Sequence, residues 1–449
     1  MLHSDDDPAD NVSIPYPATA PIPVLTQRPQ WRDTFSSLRV HNYRLYVFSQ
    51  IVSHTSAWAM RIAIDWLVFE LTQSVTAVGI TVALQFGPML VFGPIGGVIA
   101  DRFSKRALIL ITQSVAVLFC AGLGALTIIG AVEVWHVYLT ALILGFMAVV
   151  ESPARSVFVN EMVGHDRLGN AISINASIFH LGGLLGPAIS GILIAWVGAG
   201  WAIGANAIAS VIVIVTLLSM RTAELLPTVV APKAKGQIRE GWRYARSKPT
   251  IFWPIVMLAF VATFGMNLPV LLVAFADHVF HTGAAGYGLY SSAAAFGALA
   301  GAIASTRRMS YRLRGIMGAA GAFGLALIAV GVSPTVPLFM ISLAAVGFTR
   351  LLFATTAESI VQLSSNRTIR GRVMAIYAMV VLGGQAIGGP LMGWIAEEWD
   401  VRTAMVISGA VPAIAAIVIA FLLGRSANLA LKIRVTRRPV SFEPRRGRA

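Results

Sequence analysis

Long apolar runs, separated by short polar turns, recur along the whole chain. A run of about 20 apolar residues can cross the hydrocarbon core of a bilayer as a helix, at about 1.5 Å per residue. The pattern therefore predicts an all-α polytopic membrane protein with two bundles of six transmembrane spans each. The predicted spans cover residues 43–71, 75–100, 107–130, 135–158, 171–197 and 201–220, then 251–276, 286–305, 313–332, 336–361, 373–394 and 403–423.

Polar segments flank and separate the two bundles. The first residues are rich in proline and predict a disordered tail, which ends in a short interfacial helix with Trp31, Phe35 and Leu38 at helical spacing. The same amphipathic pattern returns at Trp242 and Ala245. The predicted organisation is a tail over residues 1–40, bundles over 41–220 and 251–424, a central linker over 221–250 and a basic tail over 425–449.

The placement of charge predicts the orientation of the spans. When both tails, the linker and the turns after spans 2, 4, 8 and 10 are put on one side, that side holds every lysine and arginine except Arg61, Arg350 and Arg402. Basic loops stay in the cytoplasm, so both termini are predicted to be cytoplasmic in a plasma (inner) membrane. The net charge of +14 then indicates topology and not a nucleic-acid partner. The opposite side holds Glu133, Asp277, Glu397, Glu398 and Asp400.

Composition narrows the functional classes. Only 12% of the 449 residues are charged, against about 25% in soluble domains. The chain has no Gly-Lys dipeptide, hence no phosphate loop of an ATP-driven pump, and its eight histidines show no metal-ligand spacing. No enzyme activity, cofactor or metal is therefore expected, and the single Cys120 is expected to be a small core residue.

A charged turn joins spans 2 and 3. It has a glycine, an aliphatic residue, a small residue, Asp-Arg and then basic residues, which resembles the loop between helices 2 and 3 of the major facilitator superfamily. The resemblance implies two bundles that rock about a central pathway, with the aspartate docked at the start of span 11 near residues 371–373 as a cytoplasmic latch. Serine 104 stands where that superfamily has glycine. The motif residues are Gly97, Asp101, Arg102, Lys105 and Arg106.

Span 5 carries a second motif, formed by Gly182, Gly186, Pro187 and Gly191. Its spacing resembles the glycine-proline motif of antiporters in the same superfamily. The alternative is plain helix packing, because glycines four residues apart let helices approach closely. The motif also indicates an internal repeat, since its Gly-Pro pair returns in span 11 about 200 residues later, at positions 389 and 390.

Three further stretches resemble the exporter branch that includes the enterobactin exporter and macrolide efflux proteins, over residues 40–425. They begin at Leu71, Ser152 and Arg370. This resemblance implies a monomer that exports a small amphipathic molecule, drug- or siderophore-like, driven by proton entry. The arginine that drug–proton antiporters carry in span 4 is missing between positions 138 and 146. An uncoupled or uptake-type carrier of a lipid or nutrient is therefore the alternative.

Span 1 carries His54, Trp58, Arg61 and Asp65 at spacings that place them on one helical face. Charges at mid-bilayer are costly and usually face a cavity or a partner. Arg61 and Asp65 can pair at i,i+4, which leaves two alternatives, a self-neutralised pair or a coupling or substrate site. Asp65 is the first candidate for the proton carrier, with His54 as a possible relay.

Other intramembrane candidates are scattered over four spans. Ser173, Ser177 and His180 form a stripe in span 5, although hydroxyls bonded to their own backbone are the alternative for the serines. Asn267 precedes a proline in span 7, which predicts either a broken helix or a simple kink. The remaining candidates are Glu151 with Arg155 in span 4, toward the cytoplasm, and Arg350 with Glu358 in span 10.

Overall fold

A computed structural model of the protein describes residues 36–226, 237–305, 313–366, 369–426, 429–433 and 440–444. Within these ranges the chain is almost entirely helical. The helices are α1 His41–Thr72, α2 Val75–Arg102, α3 Lys105–Ile128, α4 Val134–Gly164, α5 Arg167–Val197, α6 Ala199–Ser219, α7 Gln237–Ser247, α8 Pro249–Phe260, α9 Leu268–Ala274, α10 Gly283–Ser305, α11 Leu313–Val332, α12 Val336–Ser364, α13 Arg370–Glu398 and α14 Val401–Ser426.

Eleven helical segments within the described ranges are long and apolar enough to cross a membrane, with α8, α9 and their π-helical turns counted together as one segment, Pro249–Val279. The prediction of an all-α polytopic membrane protein is therefore confirmed. α1 is 32 residues long but is not among the eleven, because the polar face predicted for span 1 makes it less apolar than the others. The count of twelve spans stays a prediction.

The turn between α4 and α5 is much shorter than the sequence pattern predicts. α4 continues to Gly164 and α5 begins at Arg167, so the break lies within the predicted interval, residues 159–170, but is shorter than predicted. Gly164 has a φ of 68°, a left-handed conformation that glycine adopts without steric cost. One glycine therefore reverses the chain where a loop of a dozen residues was expected.

Span 7 is a broken helix and not a simple kink. α8 is followed by a π-helical turn, Val261–Gly265, and α9 begins only at Leu268. Asn267 lies buried at the break, where its side-chain nitrogen donates to the carbonyl oxygens of Ala262, at 3.3 Å, and Thr263, at 2.9 Å. These bonds satisfy carbonyls that the interrupted helix leaves without backbone partners. A second π-helical turn, Phe275–Val279, follows α9.

The polar segments contain short elements of their own. In the linker, α7 exposes Trp242, buries Ala245 and packs beside the start of α13, where Glu240 pairs with Arg372 at 2.5 Å. Leu38 lies in a 3-10 turn, Ser36–Arg39, whereas Trp31 and Phe35 of the predicted interfacial helix lie outside the described residues. The basic tail contains an antiparallel pair that the sequence pattern does not predict, β1 Leu429–Ile433 and β2 Val440–Pro444.

The helices α1–α6, here called the first half, meet the helices α8–α14, the second half, mainly through two helix pairs. α2 packs along α13, and α5 packs along α10. These pairs run between two ends of the molecule. The basic end is the end that carries the charged turn 101–106. The acidic end carries Glu133, Asp277, Glu397, Glu398 and Asp400.

Candidate functional site

Asp65 is a fully buried carboxylate at the boundary between the two halves. It lies seven residues before the end of α1, about 10 Å from the acidic end of that helix. Its Oδ2 accepts a hydrogen bond of 3.0 Å from the hydroxyl of Tyr287 in α10, while Oδ1 is buried and has no hydrogen-bond partner among the residues that the structure describes. The Tyr287 ring stacks on Trp66, with centroids 6.4 Å apart, which holds the hydroxyl toward Asp65. One buried bond therefore connects the halves.

Arg61 does not pair with Asp65 as the sequence spacing allows. Its guanidinium lies over the ring of Trp58, at 5.0 Å, and over the ring of Phe86 in α2, at 5.1 Å. Within the described residues, no hydrogen bond or ion pair joins it to Asp65. Cation–π attraction to two rings replaces the predicted bridge, and Asp65 instead bonds across to the second half. The direct bridge is therefore not formed in the described residues, but the charges of Arg61 and Asp65 still interact electrostatically, so a self-neutralised pair and a functional site both stay predictions.

An aromatic cluster surrounds the two predicted histidines. The ring of Phe179 contacts three other rings edge to face. The centroid distances are 5.6 Å to His54, 5.7 Å to Trp58 and 5.7 Å to His180. His180 also interacts electrostatically with Arg350 of the second half. The cluster brings α1 and α5 together, so His54 and His180 both contact Phe179. The sequence pattern did not predict this proximity.

The two serines of the span 5 stripe are bonded to their own helix. The Ser173 hydroxyl donates to the carbonyl oxygen of Gly169 at 3.0 Å, and the Ser177 hydroxyl donates to that of Ser173 at 2.9 Å. Such bonds satisfy a hydroxyl without any ligand. The structure therefore shows the alternative weighed for these serines and leaves His180 as the functional candidate of the stripe.

A second polar group lies toward the basic end and joins three helices of the first half. Glu151 and Arg155 of α4 form a salt bridge of 2.5 Å. Gln113 of α3 donates to Glu151 at 2.7 Å, and Arg155 donates to the side-chain oxygen of Gln50 in α1 at 2.5 Å. The predicted pair is thus present, but its partners tie α1, α3 and α4 together. The glutamines carry no charge, which is why the sequence pattern did not single them out.

The remaining second-half candidates do not meet one another. Glu358 is exposed and accepts a hydrogen bond of 3.1 Å from Gln362, one turn along α12. Arg350 makes no hydrogen bond or ion pair with any residue that the structure describes; its neighbour is His180. The shared helical face predicted for Arg350 and Glu358 therefore creates no pair. Asn267 is occupied by the break in span 7.

The charged turn at the basic end is held by capping bonds. Ser104 has an ordinary φ of −57° and caps α3, its hydroxyl accepting from the amide of Ala107 at 3.4 Å. Serine therefore replaces the glycine of the superfamily without strain. Arg106 donates to the carbonyl oxygen of Leu217 at 2.9 Å, and Lys105 pairs with Glu161 at 3.6 Å. Asp101, Arg102, Lys105 and Glu161 line a cavity of about 420 Å³. Docking of Asp101 near residues 371–373 stays a prediction.

The glycine motif of α5 lies between α1 and α10. A methyl group on Gly186 would lie 2.6 Å from Cβ of Trp58, and one on Gly182 would lie 3.0 Å from the backbone of His54. On the next turns, the carbonyl of Pro187 faces Gly288, and Gly191 lies 3.0 Å from Cα of Gly288 by the same measure. The motif therefore lets α5 approach one helix of its own half and one helix of the other half.

Sequence reasoning missed the partners of the span 1 residues. Tyr287 and Phe86 lie in apolar runs, where a lone aromatic residue gives no signal of its role. The helix of Tyr287 contains a second tyrosine, Tyr290, three residues later, so the sequence did not distinguish Tyr287. The described residues contain no group of three or more metal-ligating side chains, and the absence of a cofactor stays a prediction. The arrangement places aromatic rings, a guanidinium group and a buried carboxylate along α1, where it meets the second half.

Comparison with known proteins supports a transport role. The sequence profile of the transmembrane secretion effector family matches residues 32–447. The enterobactin exporter EntS of Escherichia coli O1:K1 is 26% identical over 370 residues, which cover 81% of this chain and 87% of that protein. EntS of Citrobacter koseri is 26% identical over 403 residues, which cover 88% of this chain and 95% of that protein.

Solved structures show the same fold. The nucleoside transporter NupG has a TM-score of 0.69 at 13% identity, covering 85% of this chain and 99% of its own. A bacterial homologue of the human lysosomal transporter Spinster, in an inward-facing and unoccupied conformation, has a TM-score of 0.66 at 17% identity, covering 86% and 97%.

Proposed function

Because the chain belongs to the transmembrane secretion effector family of the major facilitator superfamily, we propose that it exports a small amphipathic, siderophore-like molecule by alternating access, in exchange for protons. The enterobactin exporters that resemble it along most of its length support the substrate class and the direction. The two bundles over residues 41–220 and 251–424 are the proposed rocking units, with both termini in the cytoplasm. The basic end then faces the cytoplasm and the acidic end faces outward.

The observation that carries the proton step is the buried bond between Asp65 and Tyr287. Proton affinity of a carboxylate depends on its solvation and its neighbours. Asp65 is dry and bonded to the second half in this conformation, and movement of the halves would replace Tyr287 by water. Its proton affinity therefore changes with the conformation, which is what coupling requires. We assign Asp65 as the proton carrier and His54 as the candidate relay.

The substrate pathway is assigned to the aromatic and cationic residues of α1 and to their neighbours on α5 and α12. The rings of Trp58 and Phe179 offer flat apolar surfaces, and Arg61, His180 and Arg350 offer donors and charge. An amphipathic aromatic molecule matches these surfaces. Glu151 and Glu358 stay reserve candidates for proton transfer toward the basic end, and Asp101 stays the proposed latch there.

Transport by the purified protein in proteoliposomes tests this proposal. Vesicles are loaded with radiolabelled enterobactin or with one of several amphipathic drugs, and movement is measured with and without a pH gradient. We expect enterobactin to move against its concentration gradient only when a pH gradient is present. Enterobactin transport at the same rate with and without the pH gradient would instead support the alternative, an uncoupled carrier.

Replacement of Asp65 tests proton coupling separately from the movement of substrate. Asp65→Asn keeps the size of the side chain and removes its titration, so we expect uphill export to fall to background while downhill exchange is retained. Asp277→Asn, at an exposed aspartate of the acidic end, is the matched control and should transport like the parent protein. Uphill export by Asp65→Asn at the parent rate would remove Asp65 from the coupling step.

A further inference from the structure

We infer that Glu397, at the end of α13, is a gating residue that latches the acidic end of the molecule to the first turn of α2. The inference rests on the alternating access of the proposed function, but it is independent of proton coupling and of the substrate. Nothing in the sequence pattern separates Glu397 from the other acids of that end. Its contacts across the two halves do.

Both carboxylate oxygens of Glu397 are bound by the first half. Oε1 accepts from the hydroxyl of Ser74, at 2.5 Å, and from the backbone amide of Thr76, at 3.0 Å. Oε2 accepts from the Thr76 hydroxyl at 2.5 Å. Hydrogen bonds to a charged acceptor are stronger than neutral ones, and the free amides at a helix N-terminus favour a negative group. Glu397 of the second half therefore caps the N-terminus of α2 in the first half.

Ser74 serves two helices at once. It is the N-cap of α2, and its oxygen accepts from the amide of Ala77 at 3.0 Å while its hydroxyl proton goes to Glu397. The start of α2 is thus completed by one residue of its own half and one residue of the other half. When the halves separate, the amide of Thr76 loses its acceptor and must find water.

The helix contact under the latch is built from backbone. A methyl group on Gly393 would lie 2.6 Å from the carbonyl oxygen of Val75, and one on Gly389 would lie 2.8 Å from that of Gly79. Glycines remove the interlocking side chains that would make such a contact hard to reopen. Close approach without interlocking leaves the polar latch as the specific connection at this end.

The latch is the exposed member of a small set of bonds between the halves. In the described part of the chain, the side-chain hydrogen bonds that join the halves are those of Glu397, the Asp65–Tyr287 bond, and the bond of 3.1 Å from Ser292 to the carbonyl oxygen of Leu184. Of the two carboxylates in this set, Glu397 is exposed and Asp65 is buried. Water can therefore replace its partners, as a reversible gate requires.

The pseudo-symmetric interface lacks a latch of this kind. α5 and α10 form the counterpart of α13 and α2, and the end of α5, residues 190–197, contains no acidic residue. The latch is thus present at only one of the two helix pairs between the halves. We therefore expect the α2–α13 pair to control the opening of the acidic end.

Thiol labelling of a buried position under the latch tests this inference without any substrate. The only native cysteine, Cys120, is fully buried, and Val82→Cys introduces a second buried thiol beside Gly389. In proteoliposomes with the acidic end outward, Glu397→Gln and Glu397→Ala should raise the rate of Val82→Cys labelling by an impermeant maleimide at least threefold. The matched control Glu398→Gln changes the adjacent exposed acid and should leave the rate unchanged.

A cross-link supplies the opposite perturbation. Ser74→Cys combined with Glu397→Cys, joined through two disulfides by a short bis-methanethiosulfonate that releases two methanesulfinate groups, should stop transport, and reduction of these disulfides should restore the transport of the uncross-linked double variant. Equal labelling of the Glu397 and Glu398 variants, or full transport by the cross-linked protein, would overturn the latch. A protein without proton coupling would still show the labelling difference, so failure of the proposed antiport is distinguishable from failure of the latch.

Discussion

At the scale of the residue, a buried charge takes the partner that its rotamer and its surroundings allow, and not the one that sequence spacing suggests. Arg61 has two aromatic rings within cation–π distance, and Asp65 has a phenol hydroxyl at 3.0 Å from the other half. This exchange of partners turns a possible local bridge into a contact between halves. The carboxylate of Asp65 therefore has its hydrogen-bond donor, Tyr287, in the other half.

Removal of the Tyr287 hydroxyl should therefore impair coupling. Tyr287→Phe leaves a buried carboxylate without its one hydrogen bond, a loss that costs about 1–3 kcal/mol for a buried polar group. We expect uphill export at a fixed pH gradient to fall about tenfold, with a pH profile displaced from that of the parent. Tyr290→Phe is the matched control, because its hydroxyl bonds Thr282 within the second half. Equal loss in both variants would reduce Tyr287 to a packing residue.

At the scale of the element, glycine decides which helices touch. In α5, Gly182 and Gly186 face α1, while Gly191 faces α10, so one helix carries a contact within its half and a contact between halves. The antiporter-like motif therefore has a packing role in this structure. Whether it also contributes to coupling stays a prediction, because packing and coupling here use the same residues.

A methyl group at Gly186 should push α5 away from α1. Its Cβ would lie 2.6 Å from that of Trp58 and 2.7 Å from the carbonyl oxygen of Thr55, and overpacking of this kind costs about 1–3 kcal/mol. We expect Gly186→Ala to lower the midpoint of thermal unfolding in detergent by several degrees, read out as reaction of the buried Cys120 with a fluorogenic maleimide. Gly122→Ala in α3, where the methyl group meets nothing within 4 Å, is the control. An unchanged midpoint for Gly186→Ala would contradict the close contact.

At the scale of the whole molecule, the distribution of charge gives the protein a basic end and an acidic end. The enterobactin exporters named above support a place in the inner membrane, and a cytoplasmic basic end stays a prediction of the positive-inside rule. This orientation also determines which proposed gate faces the cytoplasm and which faces the outside of the cell. The turn 101–106 would face the cytoplasm, and the Glu397 latch would face outward.

Cysteine accessibility should establish this orientation. Glu133→Cys and Arg246→Cys both replace side chains that are exposed in the structure, so a difference in labelling reports the side of the membrane and not burial. An impermeant maleimide added to intact cells should label Glu133→Cys and leave Arg246→Cys unmodified until the cells are permeabilised. Labelling of Arg246→Cys in intact cells would reverse the proposed topology.

The sequence by itself determined the class of the protein. Twenty-residue apolar runs allow only membrane helices, because backbone polar groups must be satisfied within the segment in a bilayer. The charged turn and the glycine motif placed the chain in its superfamily, and the polar face of span 1 located Asp65. These inferences succeed because they depend on residues close together in the chain, where helical geometry relates spacing to position.

The tertiary structure alone decided which side chains meet. Asp65 and Tyr287 are 222 residues apart, and Glu397 and Ser74 are 323 apart, so no local pattern connects them. The break at Asn267 and the one-residue turn at Gly164 likewise depend on how the flanking helices pack. Contacts between halves carry the proposed gating, and they arise from the docking of two helix pairs, whose register and rotation are set by packing and do not appear in the spacing of residues along one helix.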